Sequence, residues 1–258
     1  MNGSAEKLPG GNIIAIASGK GGVGKTWLAI TLAHLLARAK RKVLLFDGDI
    51  GLANVDVQLG LTPKHDLSEV FYAGAALKEV ITSFAPNFDI IAGRSGSGNL
   101  ATLPAGTLAM LKEQLIALTQ EYDFIFIDLG AGVEEHVRAL ATIATRVIVV
   151  VTDEPTSLTD AYAFIKICVS AGLGAGIDIV VNQSSSFKDG EKTYNLLNKA
   201  CINFLRLMPS CLGIIRKDGK VRESIRNQTP LIDRAPHCTA ASDVASISIK
   251  LMQSIGVR

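Results

Sequence analysis

The chain has 258 residues, 48% of them hydrophobic and 19% charged, with a formal net charge of +2. That is enough apolar material for a large core, and so small a net charge excludes a protein that captures nucleic acid or anionic membrane through its overall field. No apolar run approaches the roughly 20 residues a membrane helix needs, and the start lacks the charged and apolar regions of a secretory signal, which reads as a soluble cytoplasmic protein.

Met1 to Asn12 is expected to be a flexible N-terminal segment, followed by one domain over residues 13–258. The first apolar run, Ile13 to Ala17, reads as a buried strand and opens directly into Gly19-Lys20-Gly21-Gly22-Val23-Gly24-Lys25-Thr26. An amphipathic segment, Trp27 to Arg38, follows. Strand, glycine-rich loop and helix in that order make a phosphate-binding loop, in which successive backbone N–H groups and the helix N-terminus point at an anion. Lys25 is placed against the β- and γ-phosphates of a nucleoside triphosphate, and the Thr26 hydroxyl on Mg2+. Gly21, Gly22, Val23, Gly24, Lys25, Thr26 and Trp27 form the expected cofactor-binding run.

The second strand, Val43 to Phe46, ends in Asp47-Gly48-Asp49. Two carboxylates one residue apart on a loop leaving a strand end can serve different tasks, Asp47 toward the magnesium shell and Asp49 toward an attacking water. After a strand at Phe88 to Ala92, Gly93 to Gly98 reads as a loop and Thr107 to Gln120 as a helix. Phe124 to Ile127 is then a strand capped by Asp128, a second candidate for the magnesium shell, with Gly132 four residues on where a switch backbone can approach the γ-phosphate. Strands at Val147 to Val151, Ile177 to Val181 and Leu212 to Ile215 alternate with helices at Leu158 to Ser170, Gly190 to Leu205 and Ala240 to Ile255. Asn182, at the end of its strand, can read an adenine edge, although asparagine there is also a common turn former.

Apolar runs without polar alternation suit strands buried on both faces, so the order predicts an α/β P-loop NTPase: a mostly parallel twisted sheet with helices on both faces and ligands at the carboxyl ends of its strands. The four cysteines and four histidines show no metal-ligand spacing, which favours incidental thiols in a reducing compartment.

The run Lys20-Gly-Gly-Val-Gly-Lys25-Thr26 resembles the deviant Walker A signature of the MinD/ParA ATPases. The stretches Asp47 to Asp56, Leu129 to Gly132, Asp153 to Lys166, Leu212 to Ile215 and Asp218 to Pro230 look most like the flagellar-number regulator branch, FlhG/FleN. The resemblance implies a homodimer in which two ATP molecules are clamped face to face and Lys20 of each subunit crosses to the other's phosphates, making Lys20, Lys25 and Asp49 the catalytic set. It also implies adenine contacts from Asn182 and the backbone near Ile215, a reach across the dimer by Glu154, slow partner-stimulated ATP hydrolysis, and a regulatory partner such as a flagellar GTPase or transcription regulator. A peripheral place at the membrane or cell pole belongs to the same picture.

Two departures bear on those partners. The stripe Val244, Ile247, Leu251 and Ile255 lies in the last core helix, with only Lys250 and Arg258 basic nearby, which argues against membrane insertion by that segment. Ser4 to Leu8 only partly matches the short GTPase-stimulating motif of flagellar regulators. The main rival is a partition ATPase that binds DNA through Arg216, Lys217, Lys220, Arg222 and Arg226, but Asp218 and Glu223 interrupt that cluster and no aromatic residue is interleaved, which argues against nucleic acid.

Overall fold

The computed structural model describes residues 12–49, 52–93, 105–173 and 176–254. The N-terminal motif at Ser4 to Leu8, most of the Gly93 to Gly98 loop, and Ile255 and Arg258 lie outside the described residues.

Eight strands form one sheet: β1 (Ile13–Ser18), β2 (Val43–Gly48), β3 (Thr82–Ala85), β4 (Phe88–Ile91), β5 (Phe124–Ala131), β6 (Arg146–Val151), β7 (Ile177–Ser184) and β8 (Ser210–Arg216). Their spatial order is β3-β4-β2-β5-β1-β6-β7-β8, and all neighbours are parallel except the β3/β4 pair at one edge. Alternation along β1 explains the layering. Ile13, Ala15 and Ala17 enter the core beneath α3 (Ala105–Leu118), α4 (Glu135–Ala141), α5 (Pro155–Ser170) and α6 (Phe187–Leu205). Ile14 and Ile16 enter the opposite core, beneath α1 (Lys25–Arg38), α2 (Val55–Leu59), α8 (Leu231–Arg234) and α9 (Thr239–Ser254). Both layers are dry: Phe46, Phe88, Phe124, Phe126 and Phe164 are fully buried, each worth about 1.5–3 kcal/mol of transfer free energy.

All seven strands expected from apolar runs are present, six of them extended by one to four residues and β4 one residue shorter, and the five long helices fall where periodicity puts them. The additions are short or polar. Strand β3 is a four-residue antiparallel edge with no buried position, and α4 has seven residues, too few to show a period. Helix α7 (Gly219–Arg226) buries only Ser224 fully. In α9, Val244, Ile247 and Leu251 are buried against β8 and α1, so that stripe is core. No described helix is long and apolar enough to cross a membrane.

The topology fixes the site. β1 is flanked by β5 and β6, so the loops leaving β1, β2 and β5 converge at the carboxyl edge of the sheet centre, where open α/β sheets bind ligands.

Candidate functional site

The loop from Gly19 to Thr26 leaves β1 and turns into α1. Gly24 makes the turn in the left-handed region (φ +92°), and a Cβ there would come 2.4 Å from the Asn182 amide nitrogen. Only glycine fits that backbone against that neighbour. The loop forms one wall of a cavity of about 730 Å³, reached by Lys25, Thr26, Trp27 and Asp49, a size suited to a nucleotide. The cavity's apolar wall comes from Trp27, Leu52 and Ile225. Trp27 is buried, and its indole N–H has no hydrogen-bond partner among the described residues.

Two carboxylates face each other at the floor of this region. Asp47 on β2 stands in register opposite Asp128 on β5, and both are buried. Lys25 Nζ donates to Asp128 Oδ1 at 2.9 Å, which leaves Asp128 Oδ2 buried without a partner. Asp47 accepts from the backbone N–H groups of Asp49, Asn54 and Val55, at 3.2, 3.0 and 3.1 Å, so its side chain also shapes the loop after β2. Burial and the neighbouring Asp128 push the Asp47 carboxyl well above the usual carboxylate range, with the three amides pulling the other way. Asp49 itself is half-buried on the cavity wall; burial raises its carboxyl and Lys25 draws it back.

These groups fit Mg2+. The orphaned Asp128 oxygen, the opposed Asp47 and the Thr26 hydroxyl are hard oxygen donors, and the described residues hold no cluster of three or more His, Cys, Asp or Glu side chains that would form an all-protein cage. A small protein donor set is usual for Mg2+, which keeps several waters and is shared with substrate phosphates.

The chain is similar in sequence and fold to several known proteins. Residues 11–171 match the family model described as "AAA domain". The antiactivator FleN of Pseudomonas aeruginosa is 33% identical over 239 residues, 93% of this chain and 85% of that protein. The flagellum site-determining protein YlxH of Helicobacter pylori is 32% identical over 246 residues, 94% and 82% respectively. The solved structure of the septum site-determining protein MinD of Pyrococcus horikoshii, complexed with Mg-ADP, superposes with a TM-score of 0.81 at 26% identity, over 95% of this chain and 98% of that one. The chain belongs to the MinD/ParA family of P-loop ATPases. Within that family it sits with the FlhG/FleN flagellar regulators.

The signature lysine of this MinD/ParA chain is turned away from the large cavity. Lys20 Nζ lies 2.5 Å from Glu154 Oε2 and 2.9 Å from Thr156 Oγ1, at the turn between β6 and α5. It borders a second cavity of about 420 Å³ on the other side of the loop, together with Val23, Gln183 and Lys217. Gly132 (φ +98°) donates its N–H to the Ser18 carbonyl at 3.0 Å, tying the turn after β5 to the start of the phosphate loop. Asn182 is buried beneath that loop. Its amide donates to the Val23 carbonyl at 2.8 Å and accepts from the Gln183 N–H at 2.8 Å, and it borders neither cavity. Ile215 is buried in the core beneath α1 and α9 and likewise borders neither.

Several wall residues escaped sequence reasoning: Glu134, His136 and Ile225 on the large cavity and Gln183 on the small one, which Lys217 of the basic cluster also lines. Glu134 is the N-cap of α4, His136 stands in its first turn, Ile225 lies in the last turn of α7 and Gln183 near the end of β7, where no motif marks them. The basic cluster is partly neutralised, since Arg216 pairs with Asp243 at 2.8 Å and Lys220 with Glu223 at 2.8 Å.

Proposed function

We propose that the chain is an ATP-gated dimerisation switch that hydrolyses ATP to ADP and phosphate slowly, until a partner protein stimulates it. The observation that carries this reading is the position of Lys20, a phosphate-loop lysine whose ammonium lies outside its own nucleotide cavity and is therefore available to a nucleotide held by a second copy. Opposite charges brought into such an interface neutralise the developing charge on the phosphates, as arginine fingers do.

In this reading the loop amides and Lys25 bind the β- and γ-phosphates, while Thr26, Asp128 and Asp47 hold Mg2+ and its waters. The metal, when bound, neutralises phosphate charge. Lys25 then exchanges Asp128 for phosphate oxygens. Asp49 accepts a hydrogen bond from the attacking water and aims its oxygen at the γ-phosphorus; the bond to the β–γ bridging oxygen breaks and the water proton ends on the released phosphate. Asn182 supports the loop from below through the Val23 carbonyl, and a contact from it or from the backbone near Ile215 to the base requires the site to rearrange when nucleotide binds. Glu154 restrains Lys20 in the unpaired chain and releases it when two copies meet.

The relatives named for flagellar antiactivation and site determination support a regulatory task in the number or placement of flagella or another polar structure, through a cytoplasmic protein partner. A DNA-partition role has less support, because acidic neighbours occupy Arg216 and Lys220. Light-scattering mass with ATP–Mg2+, with ADP and without nucleotide tests the switch, using Asp49→Ala to hold the ATP state. A dimer only with ATP, abolished by Lys20→Ala, is the expected result. A monomer throughout, or a dimer indifferent to nucleotide, overturns it.

A further inference from the structure

One titratable side chain on the nucleotide cavity has no role in the scheme above. His136 stands in the first turn of α4, borders the same cavity as Asp49, and is only 8% exposed. Its ring nitrogens make no hydrogen bond among the described residues and open onto the cavity. Gly130 locates Asp49 relative to α4. A Cβ at Gly130 would lie 3.3 Å from Asp49 Oδ1 on one side and 3.5 Å from Val137 Cγ2 on the other. The Asp49 carboxylate therefore rests over bare backbone, directly beside the turn of α4 that carries His136.

We propose that His136 is a positioning residue for hydrolysis, its imidazole N–H donating to the Asp49 carboxylate and so fixing the oxygen that orients the attacking water. The inference rests on the water-orienting role of Asp49. Catalytic hydrogen bonds of this kind often form only when substrate tightens the site. Glu134 borders the same cavity but is exposed and acidic, so it offers Asp49 no donor. Lys25 is the other nearby donor, and Asp128 and the phosphates engage it.

The test compares ATP turnover and ADP affinity, the latter by calorimetry, in full-length wild type, His136→Ala, His136→Phe, His136→Asn, Asp49→Ala and the Asp49→Ala/His136→Ala double variant. Phenylalanine fills the space without a donor, and asparagine restores one. The expected result is a loss of about ten-fold or more in kcat for the alanine and phenylalanine variants, ADP affinity unchanged within about two-fold, and substantial recovery with asparagine. The double variant turns over no more slowly than Asp49→Ala alone. Wild-type turnover in His136→Phe, or losses that multiply in the double variant, overturns the role of His136 while leaving Asp49 in place. Wild-type turnover in Asp49→Ala instead removes the reading on which the inference rests.

Discussion

Lys20 and Glu154, 134 positions apart in sequence, form an ion pair across the small cavity beside the phosphate loop. Both side chains are substantially exposed, at 38% and 60%. Exposed pairs are worth ~1 kcal/mol or less, so this contact holds the lysine without locking it. The proposed switch needs that property, because in it Lys20 leaves Glu154 to reach a second nucleotide.

Removing the restraint is therefore expected to favour the dimer modestly, unless Glu154 also contributes across the interface. Glu154→Gln should raise the ATP-dependent association constant by no more than about five-fold, the equivalent of ~1 kcal/mol. Sedimentation across a concentration series measures it. A ten-fold or larger loss of association assigns Glu154 to the interface rather than to the restraint.

Lys25 and Asp128 differ in kind, since the pair is buried, with side chains 8% and 0% exposed. Taking away one partner of a buried pair strands the other charge, at a cost of about 3–5 kcal/mol. Lys25→Met keeps most of the stem, so the nucleotide-free variant should lose stability of that order in urea unfolding, and Lys25→Met/Asp128→Asn should recover part of it. Equal stabilities for Lys25→Met and wild type would show that the pair contributes nothing before nucleotide binds.

The fold was legible because its strands are written as uninterrupted apolar runs: Phe124-Ile-Phe-Ile127 admits few readings other than a strand buried on both faces. The edge strand β3 carries no such signature, since Thr82-Ser-Phe-Ala85 is short and no position of it is fully buried. At the site, spacing identified the phosphate loop and its acidic residues but not what each carboxylate touches. Asp47 and Asp49 look alike in Asp-Gly-Asp, yet one is buried opposite Asp128 and held by three amides while the other faces the cavity. That distinction follows from β2/β5 register, a long-range pairing no local pattern encodes. His136 was invisible for a similar reason: only the position of α4 against Gly130 brings it to Asp49.

His34 supplies a pH dependence. It is buried in α1 near the Phe88 ring, with centroids 6.1 Å apart, its Nδ1 has no partner, and Asp233 lies 3.8 Å from Nε2. Burial lowers its pKa from 6.5, Asp233 opposing and Arg38 assisting. The unfolded chain therefore binds the proton more readily than the native one, so stability is complete above the ordinary histidine pKa and falls as pH drops below it toward the native value. His34→Leu should remove this component. The wild-type minus variant difference in unfolding free energy, measured in urea at pH 7.5 and pH 5.5, should decrease at the lower pH; a difference independent of pH counts against burial of a neutral His34.

Trp27, the single tryptophan of the chain, borders the nucleotide cavity with its indole N–H buried and unpaired. Anything that fills the cavity changes the polarity around the ring and offers the N–H an acceptor, so emission at tryptophan wavelengths should shift saturably as ADP–Mg2+ is added, without any label. The same titration of Lys25→Met should need a much higher nucleotide concentration, because an ammonium that contacts phosphate is missing. A tryptophan signal that stays flat while calorimetry records binding would place the nucleotide elsewhere on the protein. A signal that saturates at the same concentration in wild type and Lys25→Met would remove Lys25 from the phosphate site.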